Sequence, residues 1–448
     1  MTEKQAPQPD NGELKAPVKD DRPSILFAAP MNILDITSGA ALSMRTMLAA
    51  LAARGFRAVA LQAQLFDSEQ GGEHVSEAAV GDDVKDKAIL RAHVLGVEHL
   101  IVRTKARRRP DMTSAEEEIY LRRFHEELAF RRPDMIILWG GLLLEMTIMR
   151  EARLAGIPVV FYLVNAGYKF KETFRDVSVI VTDTEATAAL YRERHGFNCI
   201  PVGKFIDPAL NKAAERKPDF ITFINPSFEK GVNVFMPLAK LAAKECPEIK
   251  FLVVQSRGRW GTALQILKYQ PSDFPNVRVI GHQKNMKPVY GATRALLLPS
   301  VWHESGARVI AEALINGIPV LASDTGGSSE LVGEGGKIFH FPDITKEKRD
   351  TPATEDVIRP WLEEIKRIWH DPDYYAELCA RVEKAAEVHD IQRSTDRFLA
   401  AVGPAVHQSK VVRAAKAAAK AAPEPAKDVK SAVKQALVRK QQKKAKSR

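Results

Sequence analysis

Short apolar runs recur along the chain and alternate with longer amphipathic stretches. Residues 24–29 form the first run. A loop over 30–39 follows, then a helix predicted over 40–54 that Gly55 ends, then a strand over 57–61. Later runs at 100–102, 135–138, 159–163 and 179–182 read as strands, separated by helical patterns at 83–95, 114–131, 143–155 and 185–195. Such runs suit strands buried on both faces, and their alternation with helices predicts a parallel sheet covered on both sides.

A polar, proline-ended stretch at 212–218 reads as a linker. Beyond it the alternation restarts, with strands predicted at 220–224, 251–254, 277–280, 295–298 and 319–322. A helical region over 354–387 carries Trp361 and Trp369, and 390–402 is a last helix candidate. The pattern divides the chain into an N-terminal Rossmann-like domain (23–211), the linker (212–218) and a second Rossmann-like domain (219–387). A segment over 388–404 follows. Residues 1–22 are polar and Pro-rich, and read as a disordered N-terminus.

Composition changes this picture at one place. The formal net charge is +10, but residues 405–448 hold 13 Lys and Arg against Glu424 and Asp428, leaving the rest near neutral. The basic character belongs to a Lys/Ala-rich tail. That tail has no aromatic residues for base stacking, and only a thin apolar stripe at Val429, Val433, Ala436 and Leu437. Electrostatic contact with an anionic membrane is the expected partner, ahead of nucleic acid. No apolar run reaches the length of a membrane span. Cys199, Cys246 and Cys379 are too few and too scattered for a disulfide framework or a zinc site, so a cytoplasmic location, peripheral at the inner membrane surface, is expected.

The chemistry concentrates between residues 299 and 327. A buried-type strand leads to His303-Glu304-Ser305-Gly306-Ala307, and a helix follows with Glu312 on it. Gly306 lets backbone approach a ligand, and the free N–H groups of a helix start bind phosphate or sugar oxygens. Glu304 stands at that mouth. Glu312, flanked by Ala311 and Ala313, needs hydrogen-bond donors that ribose hydroxyls would supply. Thr325-Gly326-Gly327 forms a second glycine-rich strand-to-helix turn on the same sheet edge, where α/β proteins place ligands.

The stretch from Pro299 to Gly336 resembles the nucleotide-binding signature of retaining GT-B glycosyltransferases of the family 4 type, whose two glutamates separated by seven residues are matched by Glu304 and Glu312. Asn225-Pro226-Ser227-Phe228-Glu229-Lys230-Gly231 resembles their phosphate-binding loop, with Asn225 where the family often has arginine. Arg257 or Arg259 is the candidate replacement. Gly39, in Thr37-Ser38-Gly39-Ala40-Ala41, matches their N-terminal glycine loop. Val164 or Asn165 stands where the family often has a histidine, so catalysis would rest on the donor phosphate and positioned amides.

The resemblance implies two Rossmann-like doubly wound domains facing across a cleft, with the segment 388–404 crossing back onto the first. It implies transfer of a sugar from a nucleotide-diphosphate donor to an unknown acceptor with retention of configuration. Lys230 and Glu304 are then the catalytic residues, and Gly39, Asn225, Gly306, Ala307, Glu312, Thr325, Gly326 and Gly327 bind donor. No D-x-D cluster follows a strand, so no metal is expected, and no cofactor beyond the donor itself. The alternative is a catalytically idle scaffold of the same fold that binds nucleotide sugar, nucleic acid or an anionic surface.

Overall fold

The computed structural model describes residues 22–72, 75 and 89–421. It has two α/β units. The first is built on eight strands: β1 (Ser24–Ala28), β2 (Arg57–Ala63), β3 (Ile89–Val94), β4 (Val97–Val102), β5 (Met135–Leu138), β6 (Val159–Leu163), β7 (Val179–Thr182) and β8 (Cys199–Pro201). Their order is β3-β4-β2-β1-β5-β6-β7-β8. The second holds β9 (Phe220–Ile224), β10 (Phe251–Val254), β11 (Val277–Ile280), β12 (Thr293–Leu298), β13 (Val320–Ser323) and β14 (Gly336–Phe339), ordered β11-β10-β9-β12-β13-β14.

Every pairing is parallel except β3 with β4. The helix predicted over 83–95 is therefore wrong at 89–94, and residues 83–88 lie outside the described residues. The sequence there alternates, with Leu90 and Ala92 buried and Arg91 and His93 exposed. Leu95 and Gly96, at φ of 52° and 76°, make the tight turn that returns β3 as β4.

The apolar runs do what burial on both faces demands: β1, β5, β6 and β10 are buried throughout. The helix Ser114–Arg131 starts on a capping box, Thr113 and Glu116 each bonding the other's backbone N–H. The helical region expected over 354–387 is two helices, Glu355–His370 and Pro372–Ala386. Asp371 caps the second through Tyr374 N–H, and Pro372 cannot continue the first. Trp361 is core, stacked on Phe339 with ring centroids 4.2 Å apart.

The last helix, Ile391–Ala421, is far longer than the segment expected at 388–404. It places Phe398 and Val402 in the core of the first unit. The expected tail over 405–448 is corrected at its start. Ser409 Oγ donates to Gly156 O at 2.6 Å, and Lys410 and Arg413 reach Asp134 at 3.2 and 3.6 Å. Residues 422–448, like residues 1–21, lie outside the described residues.

In both sheets the chain reverses its direction of growth at one point, between β1 and β5 in the first and between β9 and β12 in the second. Loops leaving the carboxyl ends of strands at such a switch point diverge and leave a crevice. Loops from both switch points line one cavity.

Candidate functional site

The cleft between the units encloses about 730 Å³. From the first unit come Met31, Gly39, Trp139, Val164, Asn165 and Tyr168; from the second come Asn225, Lys230, Arg257, Glu304, Gly306 and Ala307. Gly39, Asn225, Lys230, Glu304, Gly306 and Ala307 were all singled out in sequence, and the fold brings them together.

Lys230 and Glu304 form its polar centre. Lys230 follows β9 and Glu304 follows β12, which are neighbours in the sheet. Lys230 Nζ donates to Glu304 Oε1 at 2.6 Å, and Ser300 Oγ donates to the same oxygen at 2.7 Å. Burial opposes ionisation of Glu304, but the charge of Lys230 and the bonds from Lys230 and Ser300 outweigh it and hold the carboxyl below its ordinary value. The site therefore presents a fixed carboxylate and an ammonium on one wall.

The loop carrying Glu304 is held from behind. Gly327 N–H donates to Glu304 O at 2.7 Å. Gly326 sits at φ 59°, and a Cβ there would lie 2.4 Å from Glu304 O. Thr325 Oγ1 donates to Ser300 O at 3.1 Å. Thr325, Gly326 and Gly327 thus lie behind the cleft wall and fasten the Glu304 loop, without lining the cavity.

Glu312 is also away from the cavity. It is 5% exposed; Arg308 Nε donates to its Oε1 at 2.5 Å and Tyr290 OH to its Oε2 at 2.5 Å. The buried carboxylate has its donors within the protein. Arg308 does line the cleft, and its Nη1 donates to Phe205 O of the first unit at 2.9 Å.

Asn225 adopts φ 64°, and its Oδ1 accepts from Gly258 N–H at 2.7 Å. Its amide shapes the loop at 256–259. Arg257 lines the cleft, facing Asp67 at 3.8 Å, whereas Arg259 does not. Val164 and Asn165 both line the cavity, and Asn165 Oδ1 accepts from Gly167 N–H.

Sequence reasoning missed the wall supplied by Asp183 and Lys204. Both line the cleft, at 2% and 3% exposure, and Lys204 Nζ donates to Asp183 Oδ2 at 2.5 Å. Tyr162 OH donates to Asp183 Oδ1 at 2.5 Å. Burial and the neighbouring Asp183 push the Tyr162 phenol well above its usual value, so it remains a donor. The signal was one of position: Asp183 follows β7 and Lys204 follows β8 at the carboxyl edge of the sheet. Asp183 also fixes Gly306 across the cleft, since a Cβ at Gly306 would meet Asp183 Oδ2 at 2.6 Å. Thr184 Oγ1 donates to Ser305 O at 2.7 Å, and Glu330 accepts from the N–H groups of Glu185 and Ala186. The two units are joined at the back of the cavity by these bonds.

Comparison with known proteins agrees with this architecture. Residues 206–350 match the family model described as glycosyl transferases group 1. No curated protein matches the chain. Among solved structures, HepE of Anabaena in complex with UDP-glucose is 15% identical, with a TM-score of 0.61 over 85% of this chain and 99% of that one. A glycosyltransferase from Rickettsia africae is 11% identical (TM-score 0.60, covering 86% and 99%). Sucrose-phosphate synthase from Thermosynechococcus elongatus is 15% identical (TM-score 0.60, covering 89% and 100%). The fold is GT-B, and the stretch similar to glycosyl transferases group 1 spans residues 206–350.

Proposed function

We propose that the protein is a retaining glycosyltransferase that takes a sugar from a nucleotide-diphosphate donor without a metal. The observation that carries this reading is the Lys230–Glu304 pair at the switch point of the second sheet, inside the stretch that matches the family model. The donor diphosphate lies against Lys230 and Arg257, with the N–H groups near Gly306 and Ala307 on its oxygens. Glu304 accepts from a sugar hydroxyl. Glu312 takes the ribose hydroxyls, which requires exchange of its bond to Arg308. In the transfer the bond from the anomeric carbon to the diphosphate breaks and the acceptor hydroxyl attacks on the same face. Its proton passes to the departing phosphate oxygen, while Lys230 stabilises the negative charge left there.

The acceptor binds on the first unit, along the wall of Trp139, Asn165 and Tyr168. Val164 and Asn165 carry no imidazole, which favours a second reading, an idle scaffold that binds donor without transfer. Donor turnover separates the two. UDP-glucose is the first donor to test, because HepE was crystallised with it. Under the proposal UDP-glucose or another nucleotide sugar raises the melting temperature and is slowly hydrolysed, and Glu312→Ala weakens binding. Stabilisation with no turnover of any donor supports the idle scaffold. No stabilisation by any nucleotide sugar overturns the donor assignment, and unchanged binding in Glu312→Ala overturns the ribose role of Glu312.

A further inference from the structure

One corner of the first unit combines exposed apolar side chains with exposed cations beside the cleft. Leu142 and Leu143 begin the helix Leu143–Leu154 at 53% and 76% exposure, and Phe170 is 71% exposed. Single exposed apolar side chains are ordinary, but several on adjoining loops make the kind of patch that marks an interaction surface. The two loops that carry them are joined. Gly140 N–H donates to Tyr168 OH at 3.1 Å, and the Gly141 backbone packs on Tyr168 and Thr173, on either side of Phe170. The loop before the helix and the loop carrying Phe170 therefore form one surface. Trp139 and Tyr168, from the same two loops, line the cleft.

The same corner is net basic, its exposed cations outnumbering the exposed acids Asp111 and Glu172. Lys169 and Lys171 flank Phe170, are exposed, and have no ion pair among the described residues. Arg109 Nε and Nη2 bond both oxygens of Glu145, in the first turn of that helix, at 2.9 and 3.1 Å. This fastens residues 105–109 beside the apolar group, with Lys105, Arg107 and Arg108 exposed and Arg108 4.0 Å from Asp111.

We propose that this corner docks on an anionic lipid bilayer. Leu142, Leu143 and Phe170 enter the boundary between headgroups and acyl chains, and the surrounding lysines and arginines lie over anionic headgroups. Charge complementarity selects the bilayer over a second copy of the chain, because an isologous dimer through this face would set cation against cation. The mouth of the cleft then faces the membrane. On the proposed function, this makes the acceptor a molecule presented at the lipid surface. The docking itself does not depend on that reading.

The test is co-sedimentation of the full chain with phosphatidylcholine vesicles containing about one-third phosphatidylglycerol, at low salt. Four forms are compared: the parent, Leu142→Ser/Leu143→Ser/Phe170→Ser, Lys169→Glu/Lys171→Glu, and a truncation after Ala421. Donor hydrolysis and thermal melting are measured on each without lipid. The expected result is binding by the parent and the truncated chain and none to pure phosphatidylcholine. Both corner variants lose affinity by at least about tenfold, with melting and hydrolysis unchanged. Parent-like binding by both variants, or loss of binding on truncation alone, overturns the proposal. So does self-association of the parent that the apolar variant abolishes. Loss of donor hydrolysis in every form with vesicle binding intact would instead count against the proposed enzyme activity alone.

Discussion

The ammonium of Lys204 lies 2.5 Å from Asp183 Oδ2, with both side chains buried on the wall of the cleft. Removing one member of such a pair leaves a buried charge without its partner. Asp183→Asn and Lys204→Met should each destabilise the protein by about 3–5 kcal/mol, while the double variant should cost clearly less than their sum. Urea denaturation of the three variants measures this. Strict additivity would show that the two residues act separately.

On the proposed function, Lys230→Ala should lower turnover by about a hundredfold with the fold intact, because it removes the cation assigned to the leaving diphosphate. Chelation with EDTA should leave turnover unchanged, since Lys230, Arg257 and the helix start are assigned the neutralising role. Activity abolished by EDTA and restored by magnesium or manganese would contradict that assignment.

His99 gives the fold an acid-sensitive point. Its Nδ1 lies 3.2 Å from Gln62 Nε2, and burial, with the charges of Arg45 and His93, lowers its pKa to about 4. In the unfolded chain the imidazole takes up a proton near pH 6.5, while in the folded protein it stays neutral. Its stabilisation is therefore present above about pH 6.5 and lost as the pH falls toward about 4, a change on the order of 3 kcal/mol. His99→Gln should flatten the stability profile in that window. A variant that loses stability with acid as steeply as the parent would refute it.

Removal of residues 422–448 should leave the melting temperature unchanged. Removal from Gln408 onward should lower it, because the bond from Ser409 to Gly156 and the ion pairs of Lys410 and Arg413 with Asp134 go too. Each exposed pair contributes under about 1 kcal/mol, so the expected drop is a few degrees. Scanning calorimetry of both truncations decides it. Equal melting temperatures would mean that this part of the helix adds nothing.

The strands on which the site rests were legible because runs such as residues 135–138 and 251–254 are apolar at every position, which only strands buried on both faces require. The β3–β4 hairpin was not. Its alternation at 89–94 is mixed with residues that also suit a helix, and the decisive feature is the turn at Leu95 and Gly96. Lys230 and Glu304 were legible as separate site residues because each stands in a loop that follows an apolar strand and resembles a known motif; that they bond each other shows only once β9 and β12 lie side by side. The partners of Glu312 were not: Arg308 lies one turn away on the same helix, but Tyr290 comes from a separate helix, Lys287–Ala292, and only the packed fold joins them. Asp183 and Lys204 are likewise ordinary loop residues until β7 and β8 are set side by side.

The return of the helix Ile391–Ala421 to the first unit decides how this chain can be cut. A fragment ending at residue 211 keeps all eight strands of the first sheet yet lacks Phe398 and Val402, both fully enclosed in that core. The remainder, expressed alone, would carry the same two side chains on a helix with nothing to cover them. Either piece exposes the apolar surface that the other needs. Dissection at the linker therefore invites aggregation of both products, and a workable half-protein of the first unit has to be built with that distant helix grafted back on.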